Sequence, residues 1–586
     1  MIRILTCLLL LSACFPARLL SRGSDSVLYT GRFDFSGDFP VASHVSSSLK
    51  ARFTGTGIRA ELSAPAGTTF LLVLINGEDD PRTRKVLEVS STDPRIFELA
   101  SDLDPGEHMV ELVKTNGYES KMAFHGFRVE GGSLLEKPRE AGLRLEFYGD
   151  SNAEGTSAWD VLDRGFSSQN GGHYTYPGIC SRLLDARYHN ISMGGAGLTD
   201  LSWNLRNYYD RVHMGDSPNH ANQWDFSAYR PDVVVINLGA NDHYAGVSQA
   251  AMKKAWKDFI REDIRTHHPD AHVVLMNAWG WSFGEPADYL EEAVEEMHAE
   301  GETNVSALIV PWLWGQYHAV INEHAGFGSL LAGHIAEKLG LPHPGESEWS
   351  SLVPAGSIYN GSFESSILDG VADGWRPHGN SRIIDDPESS AQGDRYLELV
   401  PGDWSNHAAP ASTGEFLAVG VMVRASDASC TAALKLEFKN QGQESITTFA
   451  DRREVGQQWT EFTVSGRAPR GTNSAWIVLE GAQDARVCFD RVEGISTSAQ
   501  RPRQFPKEAG LRIHPNPSDG TGIRVYTGRI VNHVRVYSVS GALQPCSMDR
   551  KGRELQLIFP ENLSPGSYFL MLETPRGSQS GLFMVL

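Results

Sequence analysis

The chain has 586 residues, of which 41% are hydrophobic and 21% charged, with a formal net charge of -20. That length exceeds what one hydrophobic core organises, so several domains are expected, and the composition is that of soluble globular material, not of a disordered chain or a membrane bundle. The acidic balance, with no segregated basic patch, argues against nucleic acid and anionic membrane as partners, since both would repel it.

The opening stretch "MIRILTCLLLLSACFPA" sets Arg3 before an apolar run to Leu11, followed by Ser12 and Ala13. A basic residue, a short apolar core and small residues in that order make a secretory signal, taken as residues 1–22, and the run is too short to span a bilayer. No later stretch reads as a membrane span. "LSAC" also has the form of a bacterial lipobox around Cys14; ordinary signal cleavage is the favoured reading. Of the remaining cysteines, Cys180, Cys430, Cys488 and Cys546 show no Cys-x-x-Cys spacing of the zinc-site kind. Cys430 and Cys488 fall in one β module, as a disulfide or as two buried thiols.

From 26 to 132, short alternating runs such as "SLKARFTG" and "TFLLVLING" are punctuated by Gly, Pro, Asp and Asn. That pattern predicts a β-sandwich, with "GGSLLEKPREAG" as a linker. Over 141–343 the character changes. "DVVVINLG", "HVVLMNAW" and "SALIVPWLW" are near-continuous apolar runs, as parallel strands covered on both faces require. Between them Met252, Ala255, Trp256, Phe259, Ile260 and Ile264 recur at helical spacing, and "SLLAGHIAEKLG" predicts a closing helix stopped at Gly340. Alternating β and α elements give a parallel sheet with helices on both sides. Strands and turns return over 357–497, predicting a second β-sandwich. The basic, Pro-rich spacer "AQRPRQFPKEAG" precedes a last unit, 508–586, with room for one small sandwich.

Four short motifs fall on strand-end loops of the α/β region. "LEFYGDSNAEG" leaves Ser151 just past an apolar strand, at the edge where open parallel sheets collect functional residues. "NISMGGAG" places Gly194 and Gly195 where a backbone N–H can approach a ligand, and "GAND" places the Asn241 amide at the same edge. "INEHAGFG" supplies His324 just before the closing helix. Each alone has a bland reading as a turn, a cap or a structural histidine. Together, a serine, two oxyanion donors and a histidine are the parts for acyl transfer. Asp150 and Asp242, flanking two of the motifs, read as loop caps.

"YGDSN", "GGAG", "GAND" and "NEH", in this order, resemble the four blocks of the SGNH (GDSL-type) hydrolases. "YTGRFDF", "WDFSAYRPDVVVINLGAND" and "VVLMNAWGW", behind an N-terminal β-sandwich, resemble carbohydrate esterase family 2, the acetyl-xylan esterase-like enzymes. The resemblance covers about residues 26 to 343. It implies a jelly-roll N-terminal domain and an α/β/α flavodoxin-like hydrolase domain, with Ser151 as nucleophile and His324 as general base. The Ser151 and Gly195 amides and the Asn241 side chain would form the oxyanion hole. Acetylated polysaccharide of xylan or mannan type would be the substrate, with no metal or cofactor.

Two departures stand out. Three residues before His324, where many such enzymes carry Asp, stands Ile321, and the Pro that usually follows the histidine is Ala325. A Ser-His dyad with the ring oriented by the Asn322 backbone carbonyl is therefore expected, with Glu323 facing solvent and His318 as the other candidate histidine. Trp279 and Trp281 would form a sugar platform, one exposed and one buried. The missing acid also leaves open an inactive, glycan-binding protein, and the resemblance leaves open another ester substrate. "NGSFESSILDGVADGW" resembles the opening of carbohydrate-binding modules, whose candidate aromatics here are Trp375 and Trp404. "LRIHPNPSDG", "VYSVSG" and "LSPGSYFLML" resemble the C-terminal sorting domain of type IX secretion substrates. That likeness implies the type IX machinery as a partner and a secreted or cell-surface location in a Bacteroidetes-type bacterium.

Overall fold

The structure is a computed structural model describing residues 26–497, except 201–202, 218–221, 278–287, 311–317, 354–356, 369 and 441, and segments of a C-terminal unit between 512 and 585. The N-terminal unit packs two five-stranded antiparallel sheets face to face. Strand Ser48–Gly55 shows why: Leu49, Ala51 and Phe53 turn inward and the residues between them outward. A period of two on a half-buried pleat allows only that arrangement.

The central unit holds a five-stranded sheet made of β1 (Leu143–Gly149), β2 (Ala186–Ser192), β3 (Val233–Asn237), β4 (His272–Met276) and β5 (Val305–Leu308). All pairs are parallel and the order is β2-β1-β3-β4-β5, so the chain reverses its winding direction at β1. Successive side chains feed opposite layers. Leu145, Phe147, Val233 and Val235 pack with helices α2 (Tyr176–Leu183) and α6 (Ile321–Leu339), while Tyr148, Val234 and Ile236 pack with α4 (Gln249–Asp258) and α5 (Asp288–Ala299). Met252 and Trp256 of α4 are buried as its spacing predicts, and a π-helical turn over Phe259–Ile264 carries the apolar stripe onward. Two short helices, α1 (Ser151–Glu154) and α3 (Ala240–Tyr244), follow β1 and β3 directly.

Helix α6 ends as expected at Gly340, in left-handed conformation, but begins earlier than the sequence pattern suggests. His324 thus lies in its first turn, not in a loop ahead of it.

Residues 376–497 form two further five-stranded antiparallel sheets with one shared core. Cys430 and Cys488 are free thiols buried in this unit, so the disulfide alternative is not the one adopted. Trp375 is 3% exposed and belongs to that core, and Trp404 is half-buried, stacked on His378 at 3.5 Å. Strands between 512 and 585 make two four-stranded antiparallel sheets. No described helix is long and apolar enough to cross a membrane.

Both flanking sandwiches push a buried arginine into the central unit. Arg32, fully buried, donates to Glu146 of β1 at 2.8 Å and to the carbonyls of Tyr209 and Arg211. Arg376 of the second sandwich pairs with Glu323 of α6 at 3.0 Å.

Candidate active site

The register of the sheet assembles half of the site. Gly149 of β1 sits opposite Ser192 of β2 on one side and Asn237 of β3 on the other, so the loops leaving these residues start in one row. Those connections lead into Ser151 at the start of α1, Gly195 in the loop after β2 and Asn241 in the first turn of α3, at the carboxyl edge beside the point where the winding reverses. Gly149 leaves no room for a side chain, since a Cβ there would lie 2.3 Å from that of Ala153. Asp150 caps α1 by accepting from the Asn152 amide at 2.9 Å, and Ser151 is the first helical residue. Burial pushes the Asp150 carboxyl up to about 6 against the opposing pull of the Asn152 amide and of His318.

Gly195 has φ +77°, a left-handed conformation that glycine adopts without strain, and it is exposed. The Asn241 amide donates one hydrogen to the Ala196 carbonyl at 2.8 Å, tying the β3 loop to the β2 loop. Among the described residues no acceptor takes its second N–H, which leaves it for a ligand. Asp242 is fully buried and accepts from the Leu198 and Thr199 amides and the Thr199 hydroxyl, the loop-fastening part expected of it.

The other half departs from expectation. The histidine at Ser151 is His318, whose Nε2 lies 2.9 Å from Oγ. Its Nδ1 lies 2.8 and 3.0 Å from the two carboxylate oxygens of Asp163, which also accepts the His318 backbone amide at 3.1 Å. A carboxylate only accepts, so the ring proton resides on Nδ1 and Nε2 is left to accept from the serine hydroxyl. Burial pushes the Asp163 carboxyl up, but the His318 contacts and the Ser157 hydroxyl outweigh it and hold it down at about 2. Asp163 sits in a left-handed turn, φ +54°, with its amide on the Asp160 carbonyl at 2.9 Å. The Ala319 amide donates to the Asn152 side chain at 3.3 Å, joining the His318 segment to α1.

His324, the histidine singled out in the sequence, does not reach Ser151. It is 1% exposed, stacks on Tyr176, and accepts the Tyr176 amide on Nδ1 at 3.4 Å. Burial drives its pKa down to about 3, so it stays neutral. The Asn322 carbonyl, expected to orient the catalytic ring, instead accepts from the Ser351 amide. Glu323, expected in solvent, is 4% exposed, accepts the Val320 amide and pairs with Arg376. All three errors share a cause: this segment is the buried first turn of α6. Trp279 and Trp281 lie outside the described residues. Beside Gly195 stands an aromatic residue the sequence reading passed over, Trp203, 41% exposed, its Cδ1 3.6 Å from where a Gly195 Cβ would be. Tyr118, from the N-terminal sandwich, and Tyr208 contact its ring.

Two family matches cover this frame. Residues 29–138 match the carbohydrate esterase 2 N-terminal family, and residues 147–322 match the GDSL-like lipase/acylhydrolase family. The chain is 30% identical over 340 residues to the cellulase/esterase CelE of Acetivibrio thermocellus, spanning 54% of this chain and 40% of that protein. It is 22% identical over 307 residues to an acetylxylan esterase / glucomannan deacetylase of Cellvibrio japonicus, spanning 50% of this chain and 82% of the relative. Among solved structures, a family two carbohydrate esterase from Clostridium thermocellum in complex with cellohexaose superposes with a TM-score of 0.50 at 27% identity. That superposition covers 54% of this chain and 99% of the other. The chain thus spans less than half the length of the first of these relatives.

Two residues of the arrangement, His318 and Asp163, were thus not selected by motif. The one signal for His318 was negative: the acid and the proline expected around His324 were absent. Asp163 carries no spacing signal at all, since its loop belongs to the stretch after Ser151.

Proposed function

We propose that the protein is a secreted carbohydrate esterase that removes O-acetyl groups from polysaccharides of xylan or mannan type. The observation that carries this reading is the hydrogen-bonded chain Asp163–His318–Ser151 at a sheet edge that also presents Gly195 and Asn241. In the proposed reaction the Ser151 hydroxyl adds to the acetyl carbonyl while His318 Nε2 takes its proton. The developing oxyanion is met by the Ser151 and Gly195 amides and the free Asn241 N–H. His318 returns the proton to the departing sugar oxygen, leaving an acetyl-serine ester. Water, deprotonated by the same nitrogen, then releases acetate and restores the serine. Asp163 stabilises the imidazolium formed at each step, so a triad replaces the dyad of the sequence reading.

The sugar half of the substrate fits the exposed aromatic surface of Trp203, because pyranose C–H faces pack on aromatic faces. The relatives' names support acetylated xylan and glucomannan as first substrates to try. The signal-like N-terminus and the likeness of the last eighty or so residues to a type IX sorting domain support export to the cell surface or medium.

The test is acetate release from acetylated xylan and acetylated glucomannan, comparing wild type with Ser151→Ala. Release that vanishes in the variant is the expected result, and the ratio of the two rates ranks the substrates. No release from either polymer or from an aryl acetate by folded wild-type protein would overturn the reading.

A further inference from the structure

Arg376, the first residue of strand Arg376–His378, leaves its own sandwich and enters the central unit, 4% exposed. Its Nη2 donates to both carboxylate oxygens of Glu323, at 3.0 and 3.1 Å, and lies 3.5 Å from the His318 carbonyl. Its Nη1 donates to the Val161 carbonyl at 3.3 Å. Val161 is two residues from Asp163. One guanidinium therefore touches both backbone segments that carry the histidine and the acid, and through Glu323 it also grips the first turn of α6, where Glu323 accepts the Val320 amide at 2.9 Å. Around it the Asn322 side chain donates to the Trp349 carbonyl at 3.0 Å, and Trp159, Ile321 and Ile367 share one buried apolar cluster.

We infer that Arg376 is a positioning residue for the His318–Asp163 pair, so that the second sandwich completes the esterase site. This rests on the proposed esterase reading. A module that served only as a spacer or a glycan tether would sit on a linker and would not place a charge inside its neighbour. Removing two charges from water is costly, and apolar side chains of similar volume would glue two domains as well or better. What an apolar residue does not supply is direction. The planar fork of arginine fixes several acceptors at once, and among the described residues neither the His318 nor the Asp163 segment is paired to a strand. Displacement of catalytic groups by about 1 Å costs on the order of a hundredfold in rate, so such a fixture acts on turnover more than on substrate binding.

The experiment uses the full chain and an aryl acetate, with Arg376→Ala and Arg376→Lys set beside Arg382→Ala. Arg382 is an exposed residue of the same sandwich, paired with Glu398. Arg376→Ala should lower kcat at least tenfold with KM within twofold of wild type, Arg376→Lys should recover part of the loss, and Arg382→Ala should match wild type. A folded Arg376→Ala with kcat within twofold of wild type overturns the inference, as does a rise in KM that accounts for the whole effect. Should Arg376→Ala not fold, Glu323→Gln, which keeps the shape of the side chain, carries the same expectation and the same refutation. Wild type as inactive as Ser151→Ala would be a failure of the esterase reading instead. Amide hydrogen exchange over 158–165 and 318–325 then decides the inference, with faster exchange in Arg376→Ala upholding it and unchanged exchange overturning it.

Discussion

Ser151, Gly195 and Asn241 stand just past the ends of three hydrogen-bonded parallel strands, whereas among the described residues no ladder holds His318 or Asp163. In the first group the sheet register does the positioning: once Gly149, Ser192 and Asn237 are in a row, the loops after them converge. In the second group position comes from packing, from the turn Asp160–Asp163, from the α6 N-terminus and from Arg376. Residues placed by a local, periodic device are readable from a single chain. Residues placed by contacts between distant segments are not.

The sharpest way to break this comparison is to exchange the two histidines' roles by mutation. His318→Ala should reduce kcat on an aryl acetate by about 10⁴- to 10⁶-fold, the scale of losing a triad base. His324→Ala, whose ring lies against Tyr176 and not Ser151, should lose less than tenfold. The reverse ranking would mean that the motif outweighs the geometry seen here. Asp163→Asn should fall between them, at about 10²- to 10⁴-fold, because the wrong tautomer is then favoured at Nδ1. On the strand-end half, Asn241→Ala should cost about 10²- to 10³-fold in kcat with KM little changed, the signature of a donor used mainly in the transition state. A matched loss in KM would instead assign Asn241 to fastening the Gly195 loop through Ala196.

The legible part of the molecule follows the same division. The alternation of "SLKARFTG" and the unbroken apolar runs of the central strands announced the sheets, since each pattern has one burial solution. Ser151, Gly195 and Asn241 could be singled out because glycine-rich strand ends are visible as short motifs, and the strand register brings the three to one edge. His324 was misread because "NEH" has the look of a catalytic block while its helix starts three residues earlier, at Ile321. Nothing local marks that start: the N-cap is Val320, an apolar residue, and the cap is closed from within by Glu323. The acid escaped notice for a different reason. Asp163 lies 155 residues from its histidine, and only the folded chain brings them together.

His324 offers a smaller test of the same distinction, through pH. Its folded pKa is about 3 against 6.5 for the ordinary group, so the unfolded chain takes up a proton in that interval that the native protein refuses. Stability attached to this residue is therefore present above pH 6.5 and is lost as pH falls towards 3, by at most about 1.4 kcal/mol per pH unit. His324→Gln, which keeps an acceptor for the Tyr176 amide, should flatten the fall in Tm between pH 6.5 and 4. The window stops at 4 because below it the unfolded chain also protonates the Asp163 carboxyl, held at about 2 in the fold. An unaltered slope would show that His324 is protonated in the native protein, contrary to a buried, neutral role.

The smallest expected effect concerns substrate, and it sharpens what the strand-end half is for. Trp203 leans on Gly195, so it either shapes that glycine or receives a sugar ring, and the two roles separate by substrate. If it receives sugar, Trp203→Ala should raise KM for acetylated polysaccharide roughly five- to tenfold, about 1 kcal/mol of lost stacking, and leave the aryl acetate constants untouched. If it shapes Gly195, the variant should lower kcat on both substrates alike, because the oxyanion donor is common to them. Tyr118→Ala should follow Trp203→Ala in direction with a smaller effect, since Tyr118 meets the tryptophan ring at 6.3 Å and belongs to the N-terminal sandwich. A polymer-specific effect in both variants would make that sandwich a contributor to the sugar surface, just as the second sandwich contributes Arg376 beside the His318 and Val161 backbone.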